Sequence, residues 1–380
     1  MSLSLRLKTG VLPDTGPYPE NARTWVEVDT SAIEENTRRL KRFVEPAQVI
    51  AVLKGNAYGH GLIECAAAAR RGGAASLAVG DVEEARRLRL ASDSGEIIVL
   101  GPVMPQELPE LVALRSQFVI SSRNTLTALI AETKRSSHRA RVHLAVDTGL
   151  GREGFAPEEI GEVWRALKTQ WRIEIAGVMS QLKTSRDENA ARRQREILLS
   201  VASELPAGVM RHLAHSGGIT LGRDFLLDGV RPGLALYGLS RSCNRTMRLR
   251  PALNWRTRIV ERHWRRAGSE VGYAPGEKLT RDSLLGIIPV GYGHGYPRAS
   301  RGPVLVRGRL TPITGKVNML TSLIDLTDVP DAAEGEIVTL VGSDGEHEIG
   351  AAELYSGPDV IPNLFTCGLT GLVQQALRKE

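Results

Sequence analysis

The sequence predicts an α/β protein in which a closed (β/α)8 barrel of the TIM type is followed by a mainly antiparallel β domain. Between about residues 45 and 240, eight short apolar runs alternate with stretches of helical composition, a pattern that fits a closed parallel barrel better than an open sheet. Beyond about residue 245 the pattern changes to alternating runs broken by turn residues, which is typical of antiparallel strands. The length of 380 residues agrees with two domains, because single hydrophobic cores stop growing at roughly 250–300 residues.

The barrel elements follow one another in a regular order. Residues 24–29 (TWVEVD) predict a strand, and the Asp-Thr-Ser at its end favours a helix start before residues 32–43. The eight apolar runs that follow are 49–54, 76–80, 96–101, 117–121, 140–147, 173–180, 209–216 and 230–238. Helices are predicted between them at 81–90, 123–133, 157–167 and 186–204. We therefore place the barrel domain, with its leading segment, at residues 24–240.

The second domain is placed at residues 245–380. Its strands are predicted from runs such as LLGIIPVGYG, SLIDLTDV and EIVTLVG, each bounded by Gly, Pro or Asp. Residues 1–23 form a leader that we expect to pack on this domain. A short helix is predicted at 351–356 and a terminal helix at 369–379.

Composition argues against several classes of partner. The net charge of +6 comes from 49 basic residues interspersed with 43 acidic ones, so the charge pattern does not predict nucleic-acid binding. Cys65, Cys243 and Cys367 are odd in number and far apart, which predicts neither disulfides nor a metal cluster and favours a reducing compartment. No signal-peptide core and no run of about 18 apolar residues is visible. We expect a cytoplasmic protein without a metal or a membrane partner.

The segment VIAVLKGNAYGHG, residues 49–61, ends a short buried strand on Lys54 and continues into small and polar residues. Glycines at this point let the backbone turn tightly and keep bulk away from the lysine. Most lysines at strand ends are simply solvated, and Lys54 alone does not exclude that interpretation. The alternative hypothesis is a desolvated amine that forms a Schiff base with a carbonyl cofactor.

Other polar side chains also fall where barrel strands end. In a barrel of this kind the active site lies at the carboxyl ends of the strands. The polar residues at or near these ends are Lys54, Asp147, Ser180, Ser216 and Arg231. We expect them to surround one site.

Six separated segments resemble motifs of the alanine racemase family, and they occur in the family's order. The segments are KGNAYGHG (54–61), VDTGLGREGF (146–155), DGVRPGLALYG (228–238), GYAPGEK (272–278), PVGYGHGYPRA (289–299) and PITGKVNM (312–319). The resemblance extends from about Trp25 to about Pro362. It implies a pyridoxal 5'-phosphate enzyme that racemises alanine, acts as a homodimer with shared active sites, and joins a β/α barrel to a C-terminal β domain.

The resemblance also implies the two residues that move protons. Lys54 corresponds to the lysine that holds the cofactor and removes the α-proton on one face. Tyr273 corresponds to the tyrosine that acts on the opposite face and comes from the partner subunit. A lowered pKa would let a buried amine serve as both nucleophile and base.

Binding roles are implied in the same way. Arg231 corresponds to the arginine that hydrogen-bonds the pyridine nitrogen, and because arginine stays protonated it would leave that nitrogen without a proton. The implied phosphate ligands are Tyr58, Ser216 and the backbone amides of Gly233 and Leu234. Arg152 corresponds to the residue that binds the substrate carboxylate, helped by the Met319 amide, and Tyr292 to a tyrosine near the partner's substrate entrance.

Several positions depart from the family pattern. They are Asn363, Leu320, Ala145, Gln181 and His294, in place of the usual tyrosine, aspartate, lysine, histidine and aspartate. Asn363 and Leu320 predict a pocket with more space and less polarity, and hence activity on amino acids larger than alanine. The usual lysine at the position of Ala145 orients the carboxylate-binding arginine in the family, so Arg152 must be oriented in another way, for example by a bound anion or a nearby carboxylate.

Two alternatives remain at this stage. One is another pyridoxal-phosphate reaction on the same scaffold, such as a decarboxylase or an aldolase. The other is a cofactor-binding protein without turnover. Arg231 and Tyr273 disfavour the first alternative. The β domain with Tyr273 disfavours the second, because a protein without turnover would not need that domain.

Overall fold

The computed structural model describes residues 21–273, 276–300, 302–354, 363–369 and 374–378, the last group by backbone alone. Within this part of the chain the fold divides into two units. Ser31–Arg250 form the first, and the described residues up to Thr30 and from Pro251 form the second. The leader predicted at residues 1–23 lies outside the described residues except at its last three positions.

The first strand, β1 (Thr24–Asp29), belongs to the second unit. It pairs antiparallel with β10 (Leu253–Arg258) and parallel with the last strand, Gln374–Arg378. The sequence pattern grouped β1 with the barrel because the two are adjacent in the chain. The structure instead completes a sheet from segments that are distant in sequence.

The eight apolar runs form a closed parallel barrel, as predicted. Its strands are β2 (Gln48–Val52), β3 (Ser76–Val79), β4 (Glu96–Val99), β5 (Gln117–Ile120), β6 (Ala140–Ala145), β7 (Ile173–Met179), β8 (Met210–His215) and β9 (Gly229–Arg231). Pairing of β2 with β9 closes the barrel. Every residue of β3 and β5 is buried, which is expected for parallel strands covered on both faces.

Helices cover the outside of the barrel. The first helix begins directly after β1. In chain order the helices are Thr30–Val44, Leu62–Arg71, Val82–Leu90, Leu108–Ala113, Arg123–Arg135, Ile160–Leu167, Glu188–Ala202 and Arg241–Met247. Three of them begin at an acidic or hydroxyl side chain, Asp81, Ser122 or Asp187, that accepts a backbone N–H of the first turn. The predicted helices agree with these bounds to within about three residues.

The second unit is mainly antiparallel, as predicted. Its remaining strands are β11 (Glu261–Arg265), β12 (Glu270–Val271), β13 (Glu277–Lys278), β14 (Ser283–Ile288), β15 (Val304–Val306), β16 (Arg309–Thr311), β17 (Ile313–Thr314), β18 (Ser322–Asp325), β19 (Ile337–Asp344), β20 (His347–Ile349) and β21 (Gln374–Arg378). In the described residues, β10, β15, β16, β19 and β20 share one sheet with β1 and β21, and β11, β14, β17 and β18 form another.

The carboxyl-terminal segment differs from its prediction. The helix predicted over 369–379 is wrong, because β21 pairs with β1 in parallel. The helix predicted at 351–356 is a 3-10 turn over Ala351–Leu354, and a helix follows at Asn363–Gly368. Across the described residues, no helix has both the length and the apolar character needed to span a membrane.

Candidate active site

Lys54 is separated from the end of β2 by Leu53 alone and begins a left-handed turn. The backbone φ angles of Gly55, Asn56, Ala57 and Tyr58 are 67°, 53°, 56° and 54°. This conformation costs roughly 1–2 kcal/mol for each residue that carries a Cβ. Strain of this kind is characteristic of functional sites, where surrounding contacts hold it in place.

Two buried side chains hold the turn. The Glu84 carboxylate accepts the backbone N–H of Asn56 at 2.7 Å and that of Gly80 at 2.8 Å. His60 Nδ1 lies 3.0 Å from the carbonyl oxygens of both Ala57 and Tyr58, so it carries the proton and donates. Burial lowers the pKa of His60 to about 4, which keeps the ring neutral. Sequence reasoning missed Glu84, since it resembles any acidic residue in a first helical turn.

The hypothesis that Lys54 is desolvated is not supported by this chain. Lys54 and Gly55 are both exposed, although Leu53 before them is fully buried. The lysine thus lies outside the barrel core, at the point where the strand gives way to the left-handed turn. Burial of its amine would require additional groups, such as a bound cofactor and a partner subunit.

Arg231, at the end of β9, is the buried cation of the site. Only 3% of its surface is exposed. Its terminal nitrogens donate to the carbonyl oxygens of Ser180, His212 and Leu213 at 2.5, 2.8 and 3.2 Å. They also donate to His212 Nδ1 at 2.7 Å and to Gln181 Oε1 at 3.1 Å. Burial, and secondarily the charge of Arg152, lower the pKa of Arg231 to about 10, so it remains a cation among neutral acceptors.

Ser216, Gly233 and Tyr58 meet beside this cation. The Ser216 hydroxyl oxygen accepts the backbone N–H groups of Gly233 and Ala235, both at 3.0 Å. A Cβ at Gly233 would lie 2.4 Å from the Tyr58 hydroxyl, so only glycine permits this approach. Leu234 lies between the two amides. The structure therefore brings together the four residues predicted to bind phosphate.

His215 precedes the serine and is held by its own loop. Its Nδ1 accepts the backbone N–H of Gly217 at 2.9 Å. Burial, followed by the charge of Arg231, lowers the pKa of His215 to about 4. A neutral ring therefore lines this side of the cradle.

Arg152 stands in contrast to Arg231. Its side chain is 58% exposed and pairs with the adjacent carboxylate of Glu153, at 2.5 Å between Nη2 and Oε1. Asp147 does not orient it, because its carboxylate accepts the backbone N–H groups of Gly149 and Gly151. These bonds, that of Gly151 first, lower the pKa of Asp147. Glu153 is thus a carboxylate that contacts Arg152, and its role in orienting the guanidinium toward a substrate stays a prediction.

A second polar cluster supports the loop that carries Arg231's acceptors. Thr148 and Ser180 share a hydroxyl hydrogen bond of 2.7 Å, and Gln194 Nε2 donates to Thr148 and to the carbonyl of Gln181, both at 3.1 Å. Gln194 was missed from the sequence because it lies inside a helix with ordinary polar neighbours. Gln181, which replaces the family's usual histidine, accepts a hydrogen bond from Arg231 through its side-chain oxygen.

The remaining predicted residues belong to the second unit and are exposed. Tyr273 is 64% exposed, Tyr292 45% and Met319 60%. Tyr292 and Met319 lie on adjoining loops, because the N–H of Tyr292 donates to the carbonyl of Asn318 and that of Gly293 to Met319, at 3.0 and 2.8 Å. These backbone contacts position Tyr292 and Met319, whose side chains are exposed.

Three of the departures from the family pattern lie in this unit. Leu320 is 48% exposed and adjoins the Tyr292 turn. His294 is buried and accepts the N–H of Gly291 at Nδ1, so it stabilises that turn. Asn363 is the first residue of the helix Asn363–Gly368.

The barrel, the second unit and the site define a class: two-unit enzymes that act at the carboxyl ends of barrel strands. Residues 28–241 match the family model "Alanine racemase, N-terminal domain", and residues 252–377 match "Alanine racemase, C-terminal domain". The chain belongs to the alanine racemase family.

Relatives and solved structures agree. The chain is 36% identical to alanine racemase of Symbiobacterium thermophilum, over 91% of this chain and 95% of that one, and 32% identical to that of Halothermothrix orenii, over 94% and 97%. It resembles the crystal structure of alanine racemase from Streptomyces lavendulae with a TM-score of 0.88 and 29% identity, over 96% and 98% of the two chains. It also resembles the structure of the Bartonella henselae enzyme, solved with covalently bound pyridoxal phosphate, with a TM-score of 0.86 and 26% identity, over 94% of this chain and 100% of that one.

Proposed function

We propose that this protein is a pyridoxal-phosphate-dependent racemase that interconverts L- and D-alanine. The observation that carries the proposal is the buried Arg231, a cation with only neutral acceptors, beside a cradle of hydroxyl and amide groups at Ser216, Gly233 and Tyr58. Family membership favours this reaction over a decarboxylase, an aldolase or a protein without turnover.

The residues present fit the cofactor. Tyr58, Ser216 and the amides of Gly233 and Leu234 would hold its phosphate, since hydroxyl and amide donors suit a dianion. Arg231 would donate to its ring nitrogen. Pyridoxal phosphate, when bound, withdraws electrons from the α-carbon of an amino acid and so makes its proton easier to remove.

Residues of this protein would transfer the protons and bind the substrate carboxylate. Lys54 would bind the cofactor and move a proton on one face, and Tyr273 of the partner subunit would move one on the other. Arg152 and the Met319 amide would hold the substrate carboxylate, with Tyr292 at the entrance. Arg231 cannot accept a proton, which disfavours chemistry that needs a protonated ring.

A homodimer is part of this proposal. Tyr273 is largely exposed within its own unit, and so are Tyr292, Met319 and Leu320. Exposed aromatic and apolar side chains of this kind mark interaction surfaces. A two-fold interface would give each barrel the tyrosine of the other chain.

We place the enzyme in the cytoplasm. The three cysteines are odd in number and far apart in the sequence, which does not predict a disulfide framework, and the structure buries Cys65 and Cys243 and exposes Cys367. This use of cysteine suits a reducing compartment.

The test is incubation of the protein and pyridoxal phosphate with L-alanine in deuterated water. We expect D-alanine to form, and deuterium to enter the α-carbon of both enantiomers, as measured by chiral separation and mass spectrometry. Retention of pure, undeuterated L-alanine would refute the proposal. The same measurement on serine, methionine, lysine and arginine tests the wider pocket inferred from Asn363 and Leu320, and activity on alanine alone would contradict it.

A further inference from the structure

A chain of polar side chains crosses the inside of the barrel below the proposed cofactor site. It connects four strands through Arg231 on β9, His212 on β8, His143 on β6 and Gln117 on β5. The distances are 2.7 Å from Arg231 Nη1 to His212 Nδ1, 2.8 Å from His212 Nε2 to His143 Nδ1, and 2.6 Å from His143 Nε2 to Gln117 Oε1. All four side chains are buried.

The direction of every hydrogen bond follows from Arg231. A guanidinium group only donates, so His212 Nδ1 accepts and a neutral His212 carries its proton on Nε2. That proton is donated to His143 Nδ1, which leaves the proton of His143 on Nε2, facing the carbonyl oxygen of Gln117. Each ring thus has one tautomer that satisfies both of its neighbours.

Both rings are neutral, as this order requires. Burial, followed by the charges of Arg231 and Arg141, lowers the pKa of His143 to about 3. Burial and the charge of Arg231 hold the pKa of His212 well below its usual range. Neither ring would gain a second proton at ordinary pH.

At the end of this row of side chains that is farthest from Arg231, Gln117 contacts charged residues. Gln117 Nε2 donates to the Glu96 carboxylate, which also accepts Arg141 Nη1 at 2.7 Å, and Arg141 Nε lies 3.3 Å from Glu174 Oε1. These groups line a cavity of about 300 Å³ at the amino-terminal ends of the strands. Because its amide nitrogen faces a carboxylate, Gln117 must present its oxygen to His143.

The backbone makes room for the His143 ring. The register of β6 and β7 shifts between Val142 and His143, which places Gly177 opposite His143. A Cβ at Gly177 would lie 2.2 Å from His143 Nδ1. Only glycine at this position permits the ring to reach His212.

We propose that Gln117, His143 and His212 form a hydrogen-bond relay that positions Arg231 toward the cofactor ring. The inference rests on the proposed function, because it assigns Arg231 to that ring. The relay gives Nη1 a fixed acceptor and so limits the guanidinium to one orientation before the cofactor binds. The three residues are positioning residues and need not touch substrate.

The first test is NMR of the cofactor-free protein labelled with ¹⁵N-histidine. His143 and His212 are expected as neutral rings with the proton on Nε2. A ring protonated on Nδ1 alone, or on both nitrogens, would overturn the relay. This test needs no variant and no activity.

The second test compares Gln117→Met with Val142→Ala, which removes apolar volume on the outer face beside His143. Gln117→Met leaves the His143 Nε2–H without an acceptor, so pyridoxal phosphate should bind roughly tenfold more weakly. The turnover number should fall with little change in the KM of alanine, since the relay does not contact Arg152. Val142→Ala should change neither.

The outcomes separate the relay from the reaction. If Gln117→Met binds the cofactor as tightly as the unchanged protein does, the relay is wrong even where alanine is racemised. If the tautomers and cofactor affinities are as expected but no amino acid is racemised, the relay stands and the proposed function fails.

Discussion

The two units present their proposed site residues in opposite ways. In the barrel, Arg231 is 3% exposed and its partners are contributed by neighbouring strand ends. In the second unit, Tyr273 is 64% exposed. The barrel surrounds Arg231 with acceptors from its own strand ends, whereas the second unit leaves most of the Tyr273 side chain exposed. Lys54 is intermediate, because a rigid turn positions it but the chain leaves it exposed.

The largest effect is expected at Lys54. Lys54→Ala should remove covalent attachment of pyridoxal phosphate and lower racemisation by about a thousandfold or more, since both cofactor binding and proton transfer depend on the amine. Borohydride reduction followed by peptide mass spectrometry measures the attachment. Lys168→Ala, at an exposed helix end, should behave as the unchanged protein. Cofactor still fixed to the Lys54→Ala variant would refute the assignment.

A change at Tyr273 tests the exposed half of the comparison. Tyr273→Phe removes only the hydroxyl, so turnover should fall by roughly a hundredfold or more while cofactor affinity stays unchanged. Steady-state kinetics and a cofactor titration give the two quantities. Trp264→Phe, at another exposed aromatic residue of the same unit, should retain turnover. Weakened cofactor binding with normal turnover would instead mean that Tyr273 binds the cofactor and does not transfer a proton.

Acid should destabilise the barrel through its buried histidines. The folded-state pKa values of His60, His143 and His215 are about 4, 3 and 4, below the value near 6.5 of an unfolded chain. The unfolded state therefore binds more protons, and stability is lost as pH falls from about 6.5 toward 4. At pH 5 each of these histidines should lower the free energy of unfolding by about 1–2 kcal/mol, relative to its value above pH 6.5.

Urea unfolding at pH 7 and pH 5 measures this loss. His215→Asn should reduce the difference between the two pH values, whereas His347→Gln, on the exposed β19–β20 hairpin, should leave it unchanged. Equal stability at both pH values would show that these rings are not held neutral by burial.

The smallest effect is expected at Gly55 in the left-handed turn. A Cβ at Gly55 would meet no atom within 4 Å, so Gly55→Ala should destabilise only through its φ of +67°, by about 1 kcal/mol. Gly368 is equally open but has no left-handed φ, and Gly368→Ala should cost less. Thermal unfolding of both variants provides the measurement. Equal effects would mean that the turn at Lys54 is not strained.

Local patterns and contacts between distant segments contributed differently to these results. Alternation of apolar runs and helices predicted the barrel, and the polar residues that follow its apolar runs predicted that Lys54, Ser216 and Arg231 lie near the carboxyl ends of strands. The strand at Gln374–Arg378 was predicted as a helix, because its pairing with Thr24–Asp29 leaves no trace in the local sequence. The left-handed φ of Ala57 and Tyr58 was also invisible, since neither residue type favours it.

What the sequence by itself determined is the order of the elements and the chemistry offered at the strand ends, because periodicity and residue type act locally. The tertiary structure decided the surroundings of each group: the exposure of Lys54, the neutral acceptors of Arg231, and the contact of His143 with His212 and Gln117. Those surroundings are built from strands far apart in the chain. Burial and hydrogen bonding, which set the charge and orientation of a side chain, are properties of such contacts and not of the residue alone.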